Sequence, residues 1–173
     1  MISNLKKLNK GFSLVEILIY VGIFSIISVA VITSSVVVIS SFSKTRDIRN
    51  ILETGNVVFE RMTREIRQSS SVDTAVSVLG SNPGILQLNS TDGSGNARTV
   101  KFIIENGALN LYQNGVIVDN LLGSDVSVSN LIFRRIITTA GEAVKIEMTV
   151  VNTNTPNTIP RNFNSTIILR GGY

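Results

Sequence analysis

Between Ile17 and Ser43 the sequence carries no charged side chain, and Ile, Val, Leu, Phe and Ala dominate it. About 20 consecutive apolar residues span a bilayer core, so this run predicts a membrane-crossing helix with length to spare for tilt. Ser25, Ser28, Thr33, Ser34, Ser35, Ser40 and Ser41 dilute the apolar surface, but a hydroxyl on a helix can bond back to its own backbone. Gly22 and Ala30 leave room for a second helix to approach closely. A cleaved secretory signal would have an apolar core of about 7–15 residues and a small-x-small cleavage site. This run is longer and has no such site at its end. Positive charge is placed to match. Of the 16 basic residues, Lys6, Lys7 and Lys10 stand ahead of the run, and without these three, 13 basic side chains face 12 acidic ones. The formal charge of +4 is therefore mostly a basic N-terminal arm, which suits retention of that arm on the cytoplasmic side of a membrane. A nucleic-acid binder would keep its basic surface on the folded domain, so no direct nucleic-acid contact is predicted.

One residue contradicts the logic of the run. Glu16 stands at its threshold, where a carboxylate at membrane depth costs roughly 2.5–3.5 kcal/mol and so calls for a partner. An ammonium group from another chain would serve. The stretch Lys10-Gly11-Phe12-Ser13-Leu14-Val15-Glu16, followed by apolar residues, resembles the class III signal of type IV pilins and type II secretion pseudopilins. The resemblance implies that a prepilin peptidase cuts on the cytoplasmic side after Gly11, that Phe12 becomes the N-methylated first residue, and that Glu16 takes the family's fifth mature position, which serves assembly. Lys6, Lys7 and Lys10 then supply the leader charge. The chemistry of these residue types is consistent with that. Glycine before a scissile bond puts no side chain in the way of an extended backbone in a tight site. Cleavage exposes an α-amino group, charged at neutral pH, beside hydrocarbon. A neighbour's Glu16 can neutralise it, and breaking such a buried pair typically costs about 3–5 kcal/mol, enough to make register specific. The local alternative pairs Glu16 with the amino terminus of its own chain.

Helical periodicity continues beyond Lys44. Ile48, Ile51, Leu52, Gly55, Val58, Phe59, Met62 and Ile66 recur at spacings of three and four, an amphipathic stripe. Glu60 with Arg64 and Arg61 with Glu65 read as pairs on the outer, solvated face. The prediction is one nearly continuous helix over 13–68, about 84 Å long, ending in the Ser69-Ser70-Ser71 cluster, with its outer half packed on something beyond the membrane. Many type IV pilins kink this helix with a proline; here none precedes Pro83, so an unkinked helix is expected.

After Gly84 the period becomes that of strands and tight turns. Strands are predicted over 85–89, 99–105, 108–113, 116–119, 130–137, 144–151 and 165–170. Asn106-Gly107 and Asn114-Gly115 read as two-residue hairpin turns, and 152–162, with Pro156 and Pro160, as an exposed loop. An antiparallel sheet covering the helix stripe makes an α+β, pilin-like architecture. The expected organisation is a leader over 1–11, a membrane and filament-core helix over 12–43, an amphipathic half over 44–71 and a β-rich head over 72–173.

Histidine and cysteine are both absent, which removes the commonest general base and metal ligand along with every thiolate and disulfide. No catalytic constellation, cofactor site or metal site is predicted, and the chain is read as not an enzyme. Asp92-Gly-Ser-Gly-Asn96 spaces oxygens like a calcium loop, but Ile103 stands where such a loop needs its bidentate glutamate, so a plain hairpin loop is the stronger reading. The runs Glu60–Arg67 and Phe163–Arg170 resemble the corresponding ends of J-type minor pseudopilins and W-type minor pilins. Glu16 argues against the tip subunit, which typically lacks that acid. The resemblance as a whole implies a minor subunit of a type IV pilus or type II secretion pseudopilus, a competence pilin being close behind. Its partners would be other pilin or pseudopilin subunits, the peptidase, a platform protein and an assembly ATPase. It would sit in the bacterial cytoplasmic membrane with the head outside the cytoplasm. The rival reading is a single-pass anchored binding or sensor domain that never polymerises.

Overall fold

The structure is a computed structural model that describes residue 11 and residues 13–139, 141–153 and 159–170. The chain divides into two compact units, Met1–Ser43 and Lys44–Tyr173. One helix, α1 (Leu14–Gln68, 55 residues), runs unbroken through the first unit and into the second. In the first unit its apolar side chains are exposed throughout, Phe24, Ile26 and Phe42 among them. By length and composition this part of α1 suffices to cross a membrane.

In the second unit, α1 is followed by β1 (Ser69–Val72), β2 (Leu86–Thr91), β3 (Ala97–Glu105), β4 (Ala108–Gln113), β5 (Val116–Asn120), β6 (Val126–Thr138), β7 (Gly141–Asn152) and β8 (Arg161–Ile168). All neighbours are antiparallel, as the architecture read from the sequence requires. The strands form two sheets where one was expected: β1-β2-β3-β4-β5 and β6-β7-β8. Period-2 patterning marks which face of a strand is buried but not which strands are neighbours, so the partition was invisible to it.

Both sheets and the helix share one core. Ile51, Val58, Met62 and Ile66 of α1 are fully buried with Leu86, Leu88, Val100 and Phe102 of the larger sheet and Leu131, Phe133, Ile146 and Val150 of the smaller. The stripe is narrower than its sequence suggests, because Leu52 stays 40% exposed. Gly55 lies under the ring of Phe163 from β8; a Cβ there would come within 2.3 Å of it. The missing side chain lets β8 reach the helix and puts Phe163 beside Phe59, ring centroids 6.2 Å apart.

The turns behave as their residues dictate. Asn106, Gly107, Asn114 and Gly115 all have positive φ, the twist that a two-residue hairpin turn needs, and only glycine and asparagine adopt it cheaply. Asn114 adds a bond, its Oδ1 accepting from the Thr99 N–H at 2.9 Å. In β6 a bulge between Val128 and Asn130 changes the inward phase, from Val126 before it to Leu131 and Phe133 after it.

Several sequence-based boundaries move. The Ser69–Ser71 cluster, expected only as the end of the helix, forms most of β1, and Ser69 closes the helix. The last carbonyls of α1 have no partner within the helix. Here Glu65 O accepts from the Ser69 hydroxyl at 2.7 Å, Gln68 O from the Ser90 hydroxyl at 3.1 Å, and Arg67 O from the Arg170 N–H at 3.1 Å. The last strand runs over Arg161–Ile168 rather than 165–170, because pairing with β7 over Ala143–Val150 supplies the ladder that its polar residues could not announce. Pro156 lies outside the described residues.

Candidate processing and assembly site

Ser13 opens the helix: its carbonyl accepts from the N–H groups of Glu16 at 3.0 Å and Ile17 at 3.2 Å. Glu16 therefore occupies the first turn of α1, where unpaired backbone N–H groups favour a negative charge. Gly11 is exposed, and a Cβ built on it would meet nothing within 4 Å. Among the described residues nothing demands glycine there. Lys6, Lys7, Lys10 and Phe12 lie outside the described residues.

Glu16 is half-buried, and its surroundings hold a residue that sequence reasoning missed. Tyr20, one helical turn on, donates its hydroxyl to Glu16 Oε1 at 3.0 Å. The signal was available, since residues four apart share a helix face. Oε2 of Glu16 has no hydrogen-bond partner among the described residues. The carboxylate thus arrives half satisfied. Further along the span most of the hydroxyls bond back as expected: Ser25, Ser28, Thr33, Ser35 and Ser41 donate to the carbonyls of Val21, Phe24, Val29, Val31 and Val37 at 2.7–2.9 Å. Ser34 makes no such bond among the described residues.

Both carboxylate oxygens of Asp92 are occupied by its own loop. Oδ1 accepts from the N–H groups of Ser94 and Asn96 at 2.9 and 2.8 Å, and Oδ2 accepts from the Asn96 side chain at 3.1 Å. The Asn96 N–H and side-chain amide, then the Ser94 N–H, stabilise the carboxylate and hold its pKa below the usual carboxylate range. That is the anatomy of a closed hairpin loop. Among the described residues no three Asp or Glu side chains gather as metal ligands would.

The surface pair Arg61–Glu65 is a different object from the one the helical spacing suggested. Glu65 is only 3% exposed, and two guanidiniums converge on it, Arg61 at 3.1 Å and Arg98 of β3 at 2.7 Å. Arg98 comes from a strand 33 residues away, so the helical spacing that identified Arg61 had no means of anticipating it. Glu60 and Arg64 do pair on the outer face, at 3.2 Å.

Residues 6–32 match the family described as the prokaryotic N-terminal methylation motif. The matched stretch includes Lys6, Lys7, Lys10, Gly11, Phe12, Glu16 and Tyr20 and extends into the apolar part of α1. No curated protein and no solved structure matches the chain. The chain therefore carries a type IV pilin-like class III signal on a long apolar helix, joined to an α+β head.

Proposed function

We propose that this protein is a minor structural subunit of a type IV pilus or type II secretion pseudopilus, of the J-type or W-type kind. The observation that carries the reading is the methylation-motif match over residues 6–32, which include Gly11, Phe12 and Glu16, at the head of a helix whose apolar face stays uncovered over its first thirty or so residues. In this reading a prepilin peptidase cleaves after Gly11 and the new amino group of Phe12 is methylated. Lys6, Lys7 and Lys10 keep the leader in the cytoplasm, and the head lies on the other side of the inner membrane. A platform protein and an assembly ATPase then lift the subunit into a fibre. The exposed Ile, Val and Phe surface of α1 leaves lipid and packs among the helices of neighbouring subunits.

Glu16 is the register element. Its Oε2 accepts the Phe12 amine of the adjoining subunit, so two charges that are separately costly beside hydrocarbon become one pair. The competing reading is a membrane-tethered domain that never polymerises. Mass spectrometry of the mature N-terminus in the native host separates them: a chain beginning at methylated Phe12 supports the subunit, and an intact leader supports the tether. Substituting Gly11→Val should abolish cleavage. Glu16→Ala should leave cleavage intact and strip the subunit from sheared filaments, while unchanged filament content would sink the assembly role.

A further inference from the structure

We infer that Tyr20 is a positioning residue for the Glu16 contact, presetting the carboxylate and supplying a second acceptor to the incoming amine of a neighbouring copy. The inference rests on the assembly role proposed for Glu16. It starts from one geometric fact, the 3.0 Å bond from the Tyr20 hydroxyl to Glu16 Oε1.

A glutamate near the start of a helix has three rotatable bonds and several rotamers. The bond to Tyr20 removes most of that freedom, because the phenol is rigid beyond two torsions and is held one turn along the same face. It occupies Oε1 and leaves Oε2 without a partner among the described residues. Two consequences follow. Before assembly, a carboxylate that must wait beside hydrocarbon has one of its oxygens satisfied from its own helix, which lowers the cost of waiting. During assembly, the hydroxyl has spent its one proton on Glu16 but keeps a lone pair. An ammonium group that approaches Oε2 can give a second N–H to the Tyr20 oxygen. The receiving site is then a carboxylate–phenol pair rather than a lone carboxylate, and its geometry is set before the partner arrives.

The rest of the span offers no substitute. The hydroxyls of Ser25, Ser28, Thr33, Ser35 and Ser41 are turned onto their own helix backbone, and the nearest of them, Ser25, bonds Val21 O at 2.7 Å. Tyr20 itself is 55% exposed and fills no core position, so its removal leaves no cavity in the subunit.

The test is a double-mutant cycle on the full chain in its own host, with Tyr20→Phe, Glu16→Gln and the pair. Two quantities are read for each: the cleaved fraction in the membrane and the ratio of subunit in sheared filaments to subunit in the membrane. Tyr20→Phe keeps the ring and loses only the hydroxyl. It should be cleaved as the native chain is and should incorporate roughly tenfold less well, the usual weight of a hydrogen bond to a charged group. In the Glu16→Gln background the same change should cost much less, because without the carboxylate no ammonium group is drawn within reach of the Tyr20 oxygen; a merely structural role would add its full loss there. Native incorporation of Tyr20→Phe beside a defective Glu16→Gln overturns this inference and leaves the assembly reading standing. Additive losses overturn it too. Native incorporation of Glu16→Gln removes the assembly reading and, with it, the inference.

Discussion

Glu65 shows how far a residue's meaning depends on what surrounds it. On a helical wheel it is one half of an exposed pair with Arg61, worth a few tenths of a kcal/mol. In the fold it is buried between Arg61 and Arg98, ties α1 to β3, and leaves the Nε atoms of both arginines without a partner among the described residues. Removing one member of a buried ionic cluster strands the others, so Glu65→Ala should cost about 3 kcal/mol. Thermal melting of the detergent-solubilised chain, followed by circular dichroism, would show it, and an unshifted midpoint would contradict the buried role. Glu147 of β7 behaves differently. The Lys145 ammonium at 2.6 Å, assisted by Arg134 at 3.6 Å, holds its carboxyl below the ordinary 4.5. A depressed folded value means that the group adds stability above its unfolded pKa and loses it as pH falls through the folded one. The melting midpoint should therefore drop as the solution is acidified below about pH 4.5, and Glu147→Gln should flatten that part of the profile. Because these side chains are partly exposed, added salt should shrink the effect.

The contact between α1 and β8 turns on an absence. Glycine within a helix ordinarily costs about 1 kcal/mol relative to alanine, so Gly55 needs a reason to be there. The reason is the Phe163 ring, which occupies the space of the missing Cβ. Gly55→Ala should lower the melting midpoint in the native chain, where the methyl group forces Phe163 off its seat beside Phe59. In a Phe163→Ala background the same substitution should raise it, since only the helix preference then remains. The same sign in both backgrounds would mean that the close approach of helix and strand is wrong. The hairpins were easier to foresee than this contact. Asn106-Gly107 and Asn114-Gly115 declare positive φ through their residue types alone, and the observed turns have it.

The two units differ in what holds them together. The second has a continuous core that draws on both sheets and on the 44–68 part of α1. The apolar part of α1 in the first unit has no buried residue in the stretch long enough to cross a membrane. A fragment starting at Lys44 should therefore fold alone, with cooperative thermal unfolding and a mixed helix–strand spectrum. A fragment that starts there and stays unfolded would show that the first unit is needed for the core. The exposed apolar face of α1 is a liability in water, and it has a use only where lipid or other helices cover it.

Local chemistry was enough to reveal the membrane-length run, the class III signal, the helix end at Gln68, the alternating strands and the Asn-Gly turns, because each is a property of residues close together in the chain. The packing of the two sheets on one core, the burial of Glu65, the seat of Phe163 over Gly55 and the capping of α1 by Ser90 and Arg170 were not legible in that way. Each joins residues tens or more positions apart, and a short window of sequence holds only one of the partners. Tyr20 is the exception that a closer reading would have caught: its partner is one turn away, and a carboxylate at the edge of an apolar run is reason enough to ask which neighbour on its own helix face can donate a proton to it.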